Sequence, residues 1–75
     1  MNTTLNKFQV ITKSVTTDES GIASTGEVYS KYIVIACVCG SYAVSGIGTN
    51  GGIWRVTIPS AKSQTIEISY LRYTR

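Results

Sequence analysis

The chain has 75 residues, seven basic and four acidic side chains, two cysteines and no histidine. This excludes a disulfide-rich framework, a histidine-based zinc site and any Ser-His or Cys-His nucleophile pair, and the net charge of +3 is a small excess for a nucleic-acid-binding module. A chain this short buries only about 60% of its unfolded surface, so one domain spanning residues 1–75 is expected, with a partner subunit as a natural source of further stability.

Residue types favour strands: Val, Ile, Thr and Tyr dominate, and no stretch of ten residues combines helical caps with a 3.6 period. Residues 1–6 lack an apolar signal region and are expected as a flexible arm, with no export by the common route. The Asn2-Thr3-Thr4 acceptor then has no glycosylation meaning. The first predicted strand is Phe8 to Thr16, with Phe8, Val10 and Thr12 on one face and Gln9, Ile11, Lys13 and Val15 on the other. Thr17-Asp18-Glu19-Ser20-Gly21 reads as a turn. Ile22 to Ser24 reads as a short strand ended by Thr25-Gly26, and Tyr29 to Cys39 as the strongest strand. Tyr42 to Ile47 continues beyond Gly40-Ser41. Gly48 to Gly52 is a turn, since Asn50-Gly51 accepts positive φ at little cost. Ile53 to Ile58 and Gln64 to Thr74 complete the set, separated by a loop around Pro59.

The uncharged stretch from Tyr32 to Gly52 admits several readings. A membrane span needs about 20 mainly apolar residues, whereas the continuous apolar run is only Tyr32 to Cys39. Cys37 and Cys39 lie two apart without a second pair or a histidine, so they read as buried free thiols rather than metal ligands. Gly46-Ile47-Gly48-Thr49-Asn50-Gly51 spells a dinucleotide fingerprint, but that motif must open a helix, and Ile53-Trp54-Arg55-Val56-Thr57-Ile58 reads as a strand. A glycine-rich hairpin is the reading that remains. The strand from Tyr29 to Cys39 is apolar on both faces: Ile33, Ile35 and Cys37 on one, Tyr32, Val34, Ala36 and Val38 on the other. Such a strand needs cover on both sides, and a second copy of the chain would supply it. Tyr32, Val34, Ala36 and Val38 are therefore the expected oligomer contact.

The acids offer no catalytic pattern: Asp18 and Glu19 sit in a turn, and nothing in the spacing pairs Glu27 with Glu67 as glycosidase carboxylates. No enzyme and no cofactor are expected. Tyr42, Trp54, Tyr70 and Tyr73 are amphipathic aromatics of the kind favoured in binding surfaces. Trp54, however, shares a face with Val56 and Ile58 and reads as core, while Ile66, Ile68 and Tyr70 share one face of the last strand and Glu67, Ser69, Leu71 and Tyr73 the other. Lys31, Arg55, Arg72 and Arg75 beside Tyr42 and Tyr73 leave an OB-like single-strand-binding module as an alternative, although no RNP-type motif is present.

Four segments carry a resemblance: Ile11-Thr12-Lys13-Ser14-Val15-Thr16-Thr17-Asp18-Glu19-Ser20-Gly21, Tyr32-Ile33-Val34-Ile35-Ala36, Trp54-Arg55-Val56-Thr57-Ile58 and Thr65-Ile66-Glu67-Ile68-Ser69-Tyr70-Leu71-Arg72-Tyr73. Together they resemble the C-terminal tip domains of bacteriophage tail fibres and tailspikes. The resemblance implies a small antiparallel β-sandwich, jelly-roll-like and of about five or six strands, that trimerises and binds a host-surface glycan or protein on the virion. On that expectation the ligand contacts are Tyr42 and Tyr73 stacking on sugar faces, Thr49 and Asn50 hydrogen-bonding, and Arg55 anchoring an anionic group. The alternative of another class is a small inhibitor or regulator of an intracellular host protein, of the anti-defence type.

Overall fold

The computed structural model describes residues 8–75, which form strands and their connections. The strands are β1 (Phe8–Thr16), β2 (Ile22–Val28), β3 (Tyr32–Val38), β4 (Gly46–Asn50), β5 (Ile53–Thr57) and β6 (Thr65–Thr74). They make two antiparallel three-stranded sheets, ordered β1-β6-β3 and β2-β5-β4, so the fold is the expected all-β sandwich. The chain changes sheet at every connection except the β4–β5 hairpin. The expected arm, residues 1–6, lies outside the described residues.

Four local features depart from the sequence reading, each for a backbone reason. Strand β2 does not stop at Thr25-Gly26. It runs on to Val28 through an irregularity in which Thr25, Gly26 and Glu27 together oppose Trp54 alone, with Gly26 at φ 78°. Tyr29-Ser30-Lys31 is a turn rather than strand, closed by the Lys31 amide donating to the Val28 carbonyl at 3.1 Å. Tyr42 closes a tight turn by donating its amide to the Cys39 carbonyl at 2.9 Å, and the regular strand begins only at Gly46. The β4–β5 hairpin turns on Gly51-Gly52, not Asn50-Gly51. Both central residues have positive φ, 63° and 80°, which two glycines adopt without strain.

The core lies between the sheets. Val15, Val34, Cys39, Ile68 and Tyr70 face in from the first sheet and its exit, and Ala23, Val56 and Ile58 from the second, with Ala61 plugged in from the loop before β6. Val56, Ile58 and Ile68 are fully buried, which is worth about 1.5–3 kcal/mol for each such side chain. Trp54 bridges the layers: its ring packs against the core and its indole N–H donates to the Tyr32 carbonyl of the opposite sheet at 2.8 Å. Cys37 and Cys39 are free thiols, half-buried and buried, and burial pushes both above the ordinary thiol range. As small buried hydrophobes they serve packing.

A polar network crosses the core at the β2 bulge. Arg72 donates to the Glu27 carboxylate at 2.7 Å, and the Tyr70 hydroxyl donates to its other oxygen. Lys13 donates to the Thr25 carbonyl at 2.7 Å, and Arg72 also donates to Gln9 at 2.6 Å. Burial, and the carboxylate it bonds, raise the Tyr70 hydroxyl well above the usual phenol range, so it stays a neutral donor.

The Asp18 turn ties the first strand to the last loop. The Asp18 carboxylate accepts the amides of Ile22 at 2.9 Å and Ser20 at 2.8 Å, while its carbonyl accepts the amide of Ser63 at 2.9 Å. Nearby, buried Thr17 donates to the Ala61 carbonyl and accepts the Gln64 amide at 2.9 Å. The two amides on Asp18, that of Ile22 first, lower its pKa below the ordinary 3.8. A lowered carboxylate pKa adds stability above the unfolded value and loses it as pH falls through the folded one. Asp18→Asn should therefore lower the urea midpoint at about pH 7, and the difference from the native chain should shrink at about pH 2, where the unfolded carboxylate is also protonated. An equal difference at both pH values would refute this assignment.

Candidate functional site

Two surfaces stand out, and both belong to the first sheet. The first is its outer face. Cross-strand register puts Phe8 beside Tyr73 and Val10 beside Leu71 on one side of β6, and Ile33 beside Tyr73 and Ala36 beside Leu71 on the other. The Phe8 and Tyr73 rings stack with centroids 4.9 Å apart. Val10 is 72% exposed, Val38 64% and Ile35 50%. A shallow depression of about 190 Å³ between Val10, Ala36, Val38 and Leu71 lies in this face. The remainder of the same face is polar: Thr12 bonds Ser69 at 2.8 Å and Thr16 bonds Thr65 at 3.0 Å.

A bulge in β3 sets this face. Val34 pairs with Arg72 and Ala36 with Leu71, so Ile35 is an extra residue. Strict alternation had placed Tyr32, Val34, Ala36 and Val38 together. The bulge divides them: Val34 is buried against the core and Tyr32 is half-buried beneath Arg72, whose guanidinium carbon is 4.2 Å from its ring centroid, whereas Ala36 and Val38 are exposed outside. Phe8, Val10, Ile33, Leu71 and Tyr73 complete the apolar face. The signal for them was present in the sequence as apolar alternation in β1 and β6, but only the register joins the three strands.

The second surface is a cleft of about 460 Å³ where β3 leaves the sheet, within the size range of ligand sites. Val38, Ser41, Tyr42, Gln64, Glu67 and Ser69 are among its lining residues. The Tyr42 hydroxyl donates to the Gln64 side-chain oxygen at 3.1 Å, which closes one end.

Of the five residues expected to contact a ligand, only Tyr42 lies in this cleft. Tyr73 stands on the outer apolar face, stacked on Phe8. Asn50 and Arg55 belong to the second sheet, Asn50 exposed next to the hairpin turn and Arg55 half-buried between Ser24 and Gly48, its Nε enclosed without a partner. Thr49 pairs with Trp54 on the exposed edge strand β4. The structure therefore does not gather the five into one site. Gln64, Glu67 and Ser69, which line the cleft, carried no sequence signal, because a loop and a strand far apart in sequence bring them to Tyr42.

The charged groups are equally dispersed. Glu27 lies inside the sandwich and Glu67 on the outer face, so the two carboxylates do not face one another. Lys31 and Arg72 flank Tyr32, Arg75 covers Tyr29 at 4.6 Å, and Arg55 is on the other sheet. Among the described residues, no group of three or more His, Cys, Asp or Glu side chains comes together, and no helix is long and apolar enough to cross a membrane. The glycine fingerprint runs along β4 into a hairpin, not into a helix. Comparison with protein-family models, curated proteins and solved structures finds no match to this chain.

Proposed function

We propose that the chain is a non-enzymatic assembly and recognition module, which self-associates as a homotrimer and binds a host-surface glycan or protein, as a bacteriophage fibre tip does. The observation that supports this is the outer face of the first sheet. Val10, Ile35 and Val38, each half or more exposed, lie beside Ile33, Ala36, Leu71 and the Phe8–Tyr73 stack. A contiguous apolar patch on a small domain marks an interaction surface, and three copies around a threefold axis can bury such a sheet face against different patches of their neighbours. The contact assigned here keeps Ala36 and Val38 and replaces the inward-facing Tyr32 and Val34. Ligand recognition is assigned to the cleft beside Tyr42, which lies at the far end of the same sheet from the Phe8–Tyr73 stack.

Light scattering behind a sizing column, across a dilution series, tests the assembly. The expected mass is three times the 8.1 kDa of one chain. The double variant Val10→Glu with Ile35→Glu alters only exposed positions and should run as a folded monomer. A folded native monomer at every concentration would overturn the assembly reading and favour an inhibitor that binds a partner as a single chain.

A further inference from the structure

Strand β6 is flanked on both sides along only part of its length. Strand β1 pairs with it from Thr65 to Tyr73, but β3 pairs with it only from Ser69 to Thr74. Among the described residues, no strand pairs with Thr65–Ile68 on the β3 side. The cause is local. After Val38 the chain turns inward at Cys39, which is buried, and closes the Cys39–Tyr42 turn with Gly40 at φ 56°. The departing chain thereby opens the 460 Å³ cleft directly alongside the bare half of β6.

Backbone groups of an antiparallel strand point alternately to its two sides. Half of the amides and carbonyls between Thr65 and Ile68 therefore point toward the cleft rather than toward β1. An open stretch of this kind is a template for an added strand, and four residues span roughly 14 Å at about 3.4 Å each. The walls supply the rest of the recognition. Glu67 is the one charged side chain among the lining residues, with the polar Ser41, Thr65 and Ser69 near it and Val38 and Ile66 as apolar contacts. Gln64 accepts from Tyr42 through its side-chain oxygen, which leaves its amide nitrogen to donate.

We propose that this cleft takes an extended peptide segment, basic at alternate positions, which adds as a short strand to the open edge of β6 in line with β3. The inference rests on the reading of the chain as a recognition module and names its ligand as protein rather than glycan. Main-chain hydrogen bonds to Thr65–Ile68 hold the segment. Glu67 selects Lys or Arg at the positions that face it, and inward-facing Ile66 favours a β-branched residue between them.

The test is selection of a random heptapeptide display library against the full chain, followed by amide NMR of the labelled protein with the synthesised winner. The expected winners alternate Lys or Arg with Val, Ile or Thr, and shift amide signals at Tyr42 and from Thr65 to Ser69 while slowing exchange there. Glu67→Gln should weaken binding about two- to fivefold, the range of an exposed ion pair. N-methylation of the peptide amide that bonds β6 should weaken it about tenfold or more. No enriched family, shifts centred on Val10 and Leu71 instead, or cleft shifts produced by a sugar such as maltohexaose and not by the peptide would each overturn the inference. The Val10→Glu, Ile35→Glu variant separates the two proposals, because neither residue lines the cleft. A trimer that binds no peptide defeats only this inference, and a monomer that binds it at β6 defeats only the assembly.

Discussion

Replacing Glu27 by alanine is expected to remove about 3–5 kcal/mol of stability, the usual cost of stranding one member of a buried ion pair. A 75-residue domain has a total stability of only about 4–11 kcal/mol at 0.05–0.15 kcal/mol per residue, so the variant should be largely unfolded or nearly so. The reasoning starts at the β2 bulge. Gly26 in the left-handed region turns Glu27 into the sandwich, where it is 7% exposed and meets Arg72 and Tyr70 of the opposite sheet. Without the carboxylate, the Arg72 charge and the Tyr70 hydroxyl are left in the core with fewer acceptors; the Thr25 carbonyl is 3.4 Å from that hydroxyl and compensates weakly. Glu27→Gln keeps one acceptor and should lose less. Combining Glu27→Ala with Arg72→Met removes the stranded charge and should recover part of the loss, a coupling that a double-mutant cycle measures directly. The readout is the urea midpoint by far-ultraviolet circular dichroism. A Glu27→Ala midpoint equal to that of the native chain would show the network to be dispensable.

The second large effect is expected at Gly21, the last residue of the Asp18 turn. Its φ is 82°, which costs a side-chain-bearing residue about 1–2 kcal/mol. A Cβ built there would overlap the Ile58 carbonyl oxygen and lie 2.9 Å from its carbon. Those atoms are backbone, and they are held because the Ile58 amide donates to the Gly21 carbonyl at 2.7 Å. Gly21→Ala must therefore displace the exit of β5 as well as bear the dihedral strain, and should cost more than about 2 kcal/mol. Gly48 is the internal comparison. A Cβ there meets nothing, and its φ lies outside the left-handed region, so Gly48→Ala should be neutral or slightly stabilising. Matching thermal midpoints for the two variants would refute the argument.

Much of the fold could be read from alternation. The two faces of β1, the grouping of Ile66, Ile68 and Tyr70 on one face of β6, and the burial of Val56 and Ile58 with Trp54 packed against the core all follow a period of two, although Tyr70, which reads as a surface aromatic, is buried. That pattern persists where a strand pairs regularly. It failed at Thr25–Glu27 and at Ile35, where bulges insert residues and shift the phase. Gly26 resembled a strand end because a lone glycine marks a turn and a bulge equally well. At Ile35 no residue type announces the bulge, so Val34 and Ala36 were placed together although they face opposite ways. The cleft was less legible still. Tyr42 stood out as an amphipathic aromatic, but Gln64 and Glu67 join it only through the departure of β3 from β6. That event depends on tertiary pairing and leaves no mark in local composition.

The order of the first sheet also bears on how the chain reaches its folded state. The earliest described strand pairs with the last one, across sequence separations of 49 for Thr16–Thr65 and 63 for Gln9–Arg72. Ribosomal synthesis proceeds from β1 toward β6, so β1 must wait with Ile11 and Val15 uncovered until β6 has emerged. Loop closure then precedes most of the contacts that reward it, which places the domain among slow, non-local folders. During that delay the apolar strands of several nascent chains are available to one another. On the assembly proposed above, neighbouring chains made on one message would meet at the stage when their apolar strands most need cover, and folding and association would become a single kinetic event.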